Sequence, residues 1–262
     1  MKLESAFVTR IGNRKVNEDA VAVIEKPTGI VTVVCDGLGG HGAGDIAAKS
    51  VASAIEHGAD SLLAAPLSNK QDVRELASTL RLSLTEALAA SVEQASLMTP
   101  VSDPQTTVVL AVISNDATGV FHIGDSRCYH LTNDELVWRT RDHSIVQLLL
   151  DDGDITEEEM GTHPDQGKLF KSIGIDRDDE LSISLRAPLN AGEVLLLCSD
   201  GFWEFIRPDE MMSLASTNEL AADLEALAET AEQRAAGSSD NVSVAVIRRP
   251  ATLLGRVHQW FR

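Results

Sequence analysis

IVTVVC at Ile30–Cys35, followed by DGLGGHG at Asp36–Gly42, is a continuous β-branched run that stops at a carboxylate and a cluster of glycines. Such a run fits a strand buried on both faces, and the glycines end it in a tight turn. A helix is expected from Asp45 to His57, where Ala47, Ala48, Val51, Ala52 and Ile55 form one apolar stripe that should pack on a sheet. The same order of strand, Asp and Gly returns at VLLLCSDG, Val194–Gly201.

Outward from this unit, a longer helix is expected from Gln71 to Leu97, with Val73, Leu76, Leu80, Leu84, Leu88 and Val92 on one side and Pro66 and Pro100 bracketing it. Beyond Pro104 the texture changes to short strands at 107–113, 120–123, 128–131 and 136–140, which read as one antiparallel meander. LSISL at Leu181–Leu185 alternates as a half-buried strand, EVLLLC at Glu193–Cys198 is a core strand, and Val242–Ile247 is the last. Helices are expected near Asp209–Ala215 and Glu219–Ala235. Clustered strands separated by paired helices favour an α+β fold over a doubly wound sheet.

With 262 residues and 44% hydrophobic content the chain can bury a full core, and a single domain over residues 1–250 is expected. The formal charge of -18 argues against nucleic acid and anionic membranes as partners, since both need a basic surface. MKLESAFVTR at the amino end lacks a secretory pattern, and no segment reaches the ~20 apolar residues that span a bilayer. A cytoplasmic protein is therefore expected. Cys35, Cys128 and Cys198 are odd in number and sit inside strand-like runs, so they read as buried thiols rather than a disulfide or zinc framework.

Asp19, Asp36, Asp125, Asp200 and Asp240 each border an apolar strand-like run. A carboxylate at the mouth of a dry sheet is unfavourable unless something positive meets it, and divalent cations with oxygen ligands are the usual partner. The competing reading is a dinucleotide site, because GLGGHG satisfies G-x-G-x-x-G between a strand and a helix. It fails because the chain is still helical at Glu56, where a second strand should be approaching its ribose-binding acid, and because Asp36 sets a negative charge where pyrophosphate would come. A cysteine-based phosphate loop, C-x5-R, would need Arg at positions that hold His41, Asp134 and Glu204.

The words GNRKVNEDA at Gly12–Ala20, VVCDGLGGHG at Val33–Gly42, IGDSRCY at Ile123–Tyr129, CSDG at Cys198–Gly201 and SSDNVSV at Ser238–Val244 occur in the order that marks the PPM (protein phosphatase 2C, PP2C) family of metal-dependent Ser/Thr protein phosphatases, in its compact bacterial form. The chain resembles that family from about Gly12 to Ile247. The resemblance implies an α-β-β-α sandwich, two central antiparallel sheets flanked by helices, with a flap at about 144–171 beside the active site. It implies two core Mn2+ or Mg2+ ions, bridged by Asp36 and further held by Asp19, Asp200, Asp240 and the Gly37 carbonyl, and a third, weaker ion at Asp125. A water bridging the two ions then hydrolyses phosphoserine or phosphothreonine in proteins, and Arg14 clamps the phosphate. Neighbouring Glu18 points to the opposite face from Asp19 in an extended chain.

The family's eukaryotic members carry an acid histidine directly after Asp-Gly, where this chain has Leu38, so His41 is not given that role. Asp142, His143 and Ser144 match a family motif before the flap and are not a catalytic triad, which is assembled in space rather than from neighbours. Asn241 can orient the Asp240 carboxylate or cap its turn. The implied partners are phosphoprotein substrates and a cognate Hanks-type Ser/Thr kinase, the chain acting as a monomer. The alternative is a pseudophosphatase that binds phosphoproteins without turning them over. The last segment, 251–262, reads as a mildly amphipathic tail.

Overall fold

The computed structural model describes residues 2–39, 43–96, 101, 103–175 and 177–251. The chain runs through β1 (Glu4–Arg10), β2 (Asp19–Lys26), β3 (Gly29–Leu38), α1 (Ala43–Ala64) and α2 (Lys70–Ser96). There follow β4 (Gln105–Thr106), β5 (Val108–Ser114), β6 (Thr118–Ile123), β7 (Arg127–Leu131), β8 (Leu136–Arg139) and α3 (Ile145–Asp152). The remainder holds β9 (Ile173–Gly174), β10 (Ser182–Arg186), β11 (Val194–Cys198), α4 (Asp200–Trp203), α5 (Pro208–Met211), α6 (Leu220–Arg234) and β12 (Val242–Arg248).

The strands form two antiparallel sheets, one in the order β1-β12-β11-β7-β8, the other β10-β6-β5-β3-β4-β9 with β2 alongside β3. Successive strand side chains point to opposite faces, and both faces of β3 are dry. Val31, Val33 and Cys35 pack under α1 and α2, against Val51, Ile55, Leu84 and Leu88. Ile30 and Val34 instead meet Leu195, Leu197, Ala245 and Ile247 of the other sheet. This two-sided burial is why Ile30–Cys35 shows no polar alternation. Beyond the second sheet, Leu196, Val244 and Val246 pack against Phe202 of α4 and Leu224, Ala228 and Ala231 of α6. The expected α+β sandwich with helices on both outer faces is the observed architecture.

Several local expectations need correction. The strands after Pro104 are not one meander: β5 pairs with β6 and β7 with β8, but β6 and β7 belong to different sheets. The turn Gly124–Ser126 thus crosses the sandwich, and short apolar strands carry no local mark of which sheet they join. Helix α1 begins at Ala43, before Asp45, and continues past His57 because Ala59 and Leu62 prolong the buried stripe. Residues 209–215 divide into α5 and a 3-10 turn at Met212–Ala215. Strands β1 and β2 had no counterpart in the sequence reading. Cys35, Cys128 and Cys198 are buried free thiols, as expected. His41, the Leu97 end of the second helix and the tail Leu253–Arg262 lie outside the described residues.

Candidate metal centre

Asp19 and Asp36 stand directly opposite one another in the β2–β3 register. Like charges so placed destabilise a sheet unless they are offset. Asp36 is fixed by its backbone: its N–H donates to Thr107 Oγ1 at 3.0 Å, and Thr107 Oγ1 lies 2.7 Å from Ser126 Oγ in the Asp125 turn. The next residue, Gly37, donates its N–H to the Glu18 carbonyl at 3.1 Å. A Cβ at Gly37 would lie 2.2 Å from the Gly44 carbonyl oxygen, so only glycine lets β3 pass α1 this closely. Asp19 is buried and accepts from Ser199 Oγ at 2.7 Å. Ser199 precedes Asp200, so this bond spans the two sheets.

Asp200 opens α4 at the end of β11, and Asp240 precedes β12. Asn241 does more than orient its neighbour. Its N–H donates to Asp240 Oδ1 at 2.7 Å, its Oδ1 accepts from the Glu18 N–H at 2.8 Å, and its Nδ2 donates to the Ile11 and Val16 carbonyls at 2.8 and 3.1 Å. One carboxamide therefore holds the Arg14 loop and β2 against β12. Arg14 Nη2 donates to Asp240 Oδ2 at 2.5 Å, with its side chain 58% exposed. Gly201 passes so near this strand that a Cβ would sit 2.2 Å from the Asn241 carbonyl oxygen. Gly201→Ala is accordingly expected to lower Tm by ~5–10 °C; a thermal melt matching the parent protein would show that the two segments are free to part.

Asp125 is buried in the crossing turn, and its carbonyl accepts from Trp203 Nε1 at 3.0 Å. Two side chains absent from the sequence reading join the group. Gln166 Nε2 donates to Asp200 Oδ2 at 3.2 Å. Glu204 sits one helical turn after Asp200, and its carboxyl is pushed up to about 9, by burial first and then by Asp200 and Asp125. The i, i+4 spacing in DGFWE was the available clue.

The electrostatics show what charge the site favours. Burial raises Asp19 to about 7, with Asp200 and Asp240 adding repulsion against the hydrogen bonds from Ser199 and Ser243. Asp36 is held well above the carboxylate range by burial and then by Asp200, Asp19 and Asp125. Asp125 is raised likewise, by burial and Asp200, with Arg127 easing it; Asp200 is raised by burial and Asp240. Glu18 is raised by burial and then by Asp45, with Arg14 easing it and Asp240 adding repulsion. Arg14 meets Asp240, and Arg127 is committed to Asp142. Among the described residues, no three ligand-type side chains close a finished cage around one point. The acids are neighbours through repulsion, with Asp19, Asp200 and Asp240 steadied by Ser199, Gln166 and Arg14 respectively. Acids that repel one another in partial burial fit a multivalent cation with oxygen ligands, which removes the repulsion at its source.

The comparisons agree with this geometry. The family model described as Protein phosphatase 2C matches residues 8–242. The serine/threonine phosphatase stp of Listeria monocytogenes is 29% identical over 244 residues, which cover 92% of this chain and 93% of that protein. The serine/threonine protein phosphatase PstP of Mycobacterium tuberculosis is 32% identical over 231 residues, 88% of this chain but 41% of PstP. A crystal structure of the catalytic domain of a serine/threonine protein phosphatase PstP in complex with two manganese ions superposes with a TM-score of 0.73 at 28% identity, covering 94% of this chain and 97% of that one. With a family model spanning most of its length and the Listeria phosphatase matched almost end to end, this chain belongs to the protein phosphatase 2C family and is a serine/threonine protein phosphatase.

Proposed function

We propose that the chain hydrolyses phosphoserine and phosphothreonine in proteins at two divalent cations, Mn2+ or Mg2+, held by Asp36, Asp19, Asp200, Asp240 and the Gly37 carbonyl, with a third at Asp125. The observation that carries this reading is the placement of Asp19 opposite Asp36, with both raised by burial first and further by Asp200 from the other sheet. The two manganese ions in the PstP catalytic domain support it. When bound, such a pair supplies a water acidic enough near neutral pH to act as nucleophile, and offsets phosphoryl charge.

The chain's own residues do the rest. Asp36 presents its carboxylate from a backbone fixed by Thr107, while Asn241 sets the distance between the Arg14 loop and Asp240. Arg14 is paired with Asp240, and were Asp240 to hold a cation instead, the exposed Arg14 guanidinium would offer two parallel donors to phosphoryl oxygens. No side-chain nucleophile is required: Cys35, Cys128 and Cys198 are buried, with thiol pKa values raised by burial. Substrates of this kind are products of Ser/Thr kinases, so the counterpart in the cell is a kinase of that class.

The test is release of phosphate from a phosphothreonyl peptide. It should require Mn2+ or Mg2+, stop with chelator and ignore thiol alkylation; turnover in excess chelator would refute the reading. Arg14→Ala should lower kcat/KM by ~10- to 1000-fold. An unchanged value would remove Arg14 as the clamp.

A further inference from the structure

The Asp142–His143–Ser144 motif and Trp203 are not used by this chemistry, yet they converge on one place. Arg127 donates from Nε to both Asp142 oxygens at 3.0 Å and from Nη2 to Oδ2 at 2.6 Å. Its Nη1 donates to the Tyr129 hydroxyl at 3.0 Å. The guanidinium carbon so fixed lies over the Trp203 indole, 3.5 Å from the ring centroid. The indole N–H in turn donates to the Asp125 carbonyl. On the other flank, His143 brackets Gly124: its N–H donates to the Gly124 carbonyl at 2.8 Å, and its Nδ1 accepts from the Gly124 N–H at 3.1 Å. Nδ1 is therefore unprotonated, and Nε2 carries the hydrogen toward Ser182 Oγ at 2.9 Å. Ser144 caps α3 through the Gln147 N–H. The motif is a clamp on the crossing turn rather than reactive chemistry.

We propose that Trp203, locked in place by Arg127 and Asp142, is a positioning residue that aims the Asp125 carboxylate at the third cation; the inference rests on the reading of Asp125 as a cation ligand. The topology gives the indole this role. Asp125 sits where the chain leaves one sheet for the other, with no strand partner to hold it, and Trp203 belongs to the short helix whose first residue is Asp200. One rigid turn of helix thus bears one candidate ligand and ties down the backbone of another, setting the separation between them. Trp203 is also a member of the core packed around β11 and β12, so a purely structural role is the competing explanation.

Trp203→Phe separates the two, because phenylalanine keeps an aromatic face under Arg127 and loses the N–H, while the loss of ring volume that comes with it would act on the core and on every site alike. Mn2+ binding is measured by calorimetry on the intact chain, for the parent protein, Trp203→Phe, Asp125→Asn and the double variant, with a thermal melt of each. The expected result is that Asp125→Asn deletes the weakest class of Mn2+ sites. Trp203→Phe should weaken that class alone by ~5- to 10-fold, and should add nothing in the Asp125→Asn background. In steady-state assays Trp203→Phe should raise the Mn2+ concentration for half activation, with kcat at saturating Mn2+ little changed. Arg127→Lys, which keeps the charge but loses the fork and the stacked plane, should shift the same class in the same direction. An Asp125→Asn isotherm that overlays the parent would defeat the ligand reading itself. Loss of the weak class in Asp125→Asn, with a Trp203→Phe isotherm that is unchanged or weakened equally at every site, would overturn the positioning role alone.

Discussion

Asp36→Asn should lower metal-dependent phosphate release by ~1000-fold or more, while the metal-free protein melts at a higher temperature than the parent. Loss of turnover follows because a carboxylamide is neutral and bridges two cations poorly, and several kcal/mol of transition-state stabilisation are delivered through them. The gain in stability follows from the register. Asparagine fills nearly the same volume and has no proton to bind or lose, so it removes the cost of setting an ionisable group in burial, opposite Asp19 and beside Asp200 and Asp125. Asp200→Asn should behave in the same way. The pair of readouts matters, since a substitution that merely damaged the fold would lower both. Retained turnover at equal Mn2+ would remove Asp36 from the centre, and a lower metal-free melting temperature would mean that the repulsion is not what the burial implies.

The second large effect is a linkage between pH, cation and stability. A carboxyl whose folded pKa is raised binds its proton more tightly when folded than when unfolded. Its contribution is therefore most favourable at acid pH, declines as pH rises from the ordinary carboxylate range through the folded value, and is flat above it. For Asp19 that window ends near 7, and Asp36, Asp125 and Asp200 are raised in the same direction. The metal-free protein should lose ~5–10 °C in Tm between pH 5 and pH 8, a few kcal/mol shared among these groups. Saturating Mn2+ should erase most of that loss, because the cation binds the ionised form and favours the folded chain by mass action. Asp19→Asn should flatten the metal-free slope. A metal-free Tm that rises over this range would show that the acids are offset by protein cations after all, and the case for a metal centre would weaken with it.

Much of the architecture was legible along the chain. Ile30–Cys35 reads as a strand dry on both faces because that property is written in consecutive residues, and the stripes of α1 and α2 are visible because 3.6-residue periodicity is local. The two strand-Asp-Gly junctions were legible for the same reason: glycine at Gly37 and Gly201 marks close backbone approach, and a carboxylate at the end of an apolar run needs a partner. Five such words in one order carried the family. Strands β1 and β2 escaped notice because their apolar residues are divided between faces and mostly half-buried, with Phe7 53% exposed.

What the sequence determined alone was the α+β class and, through five motifs in the family's order, the family and with it the sandwich and the reaction class, since each rests on residue types and on neighbours a few positions apart. Only the tertiary structure set Asp19 across from Asp36, split β6 from β7 between sheets, laid Arg14 on Asp240 and hung the Asp125 turn from Trp203. Those relations join segments up to 226 residues apart, and they are fixed by strand register and by which buried donor finds which buried acceptor. Neither leaves a trace in local periodicity, because a strand reads the same whichever partner it pairs with.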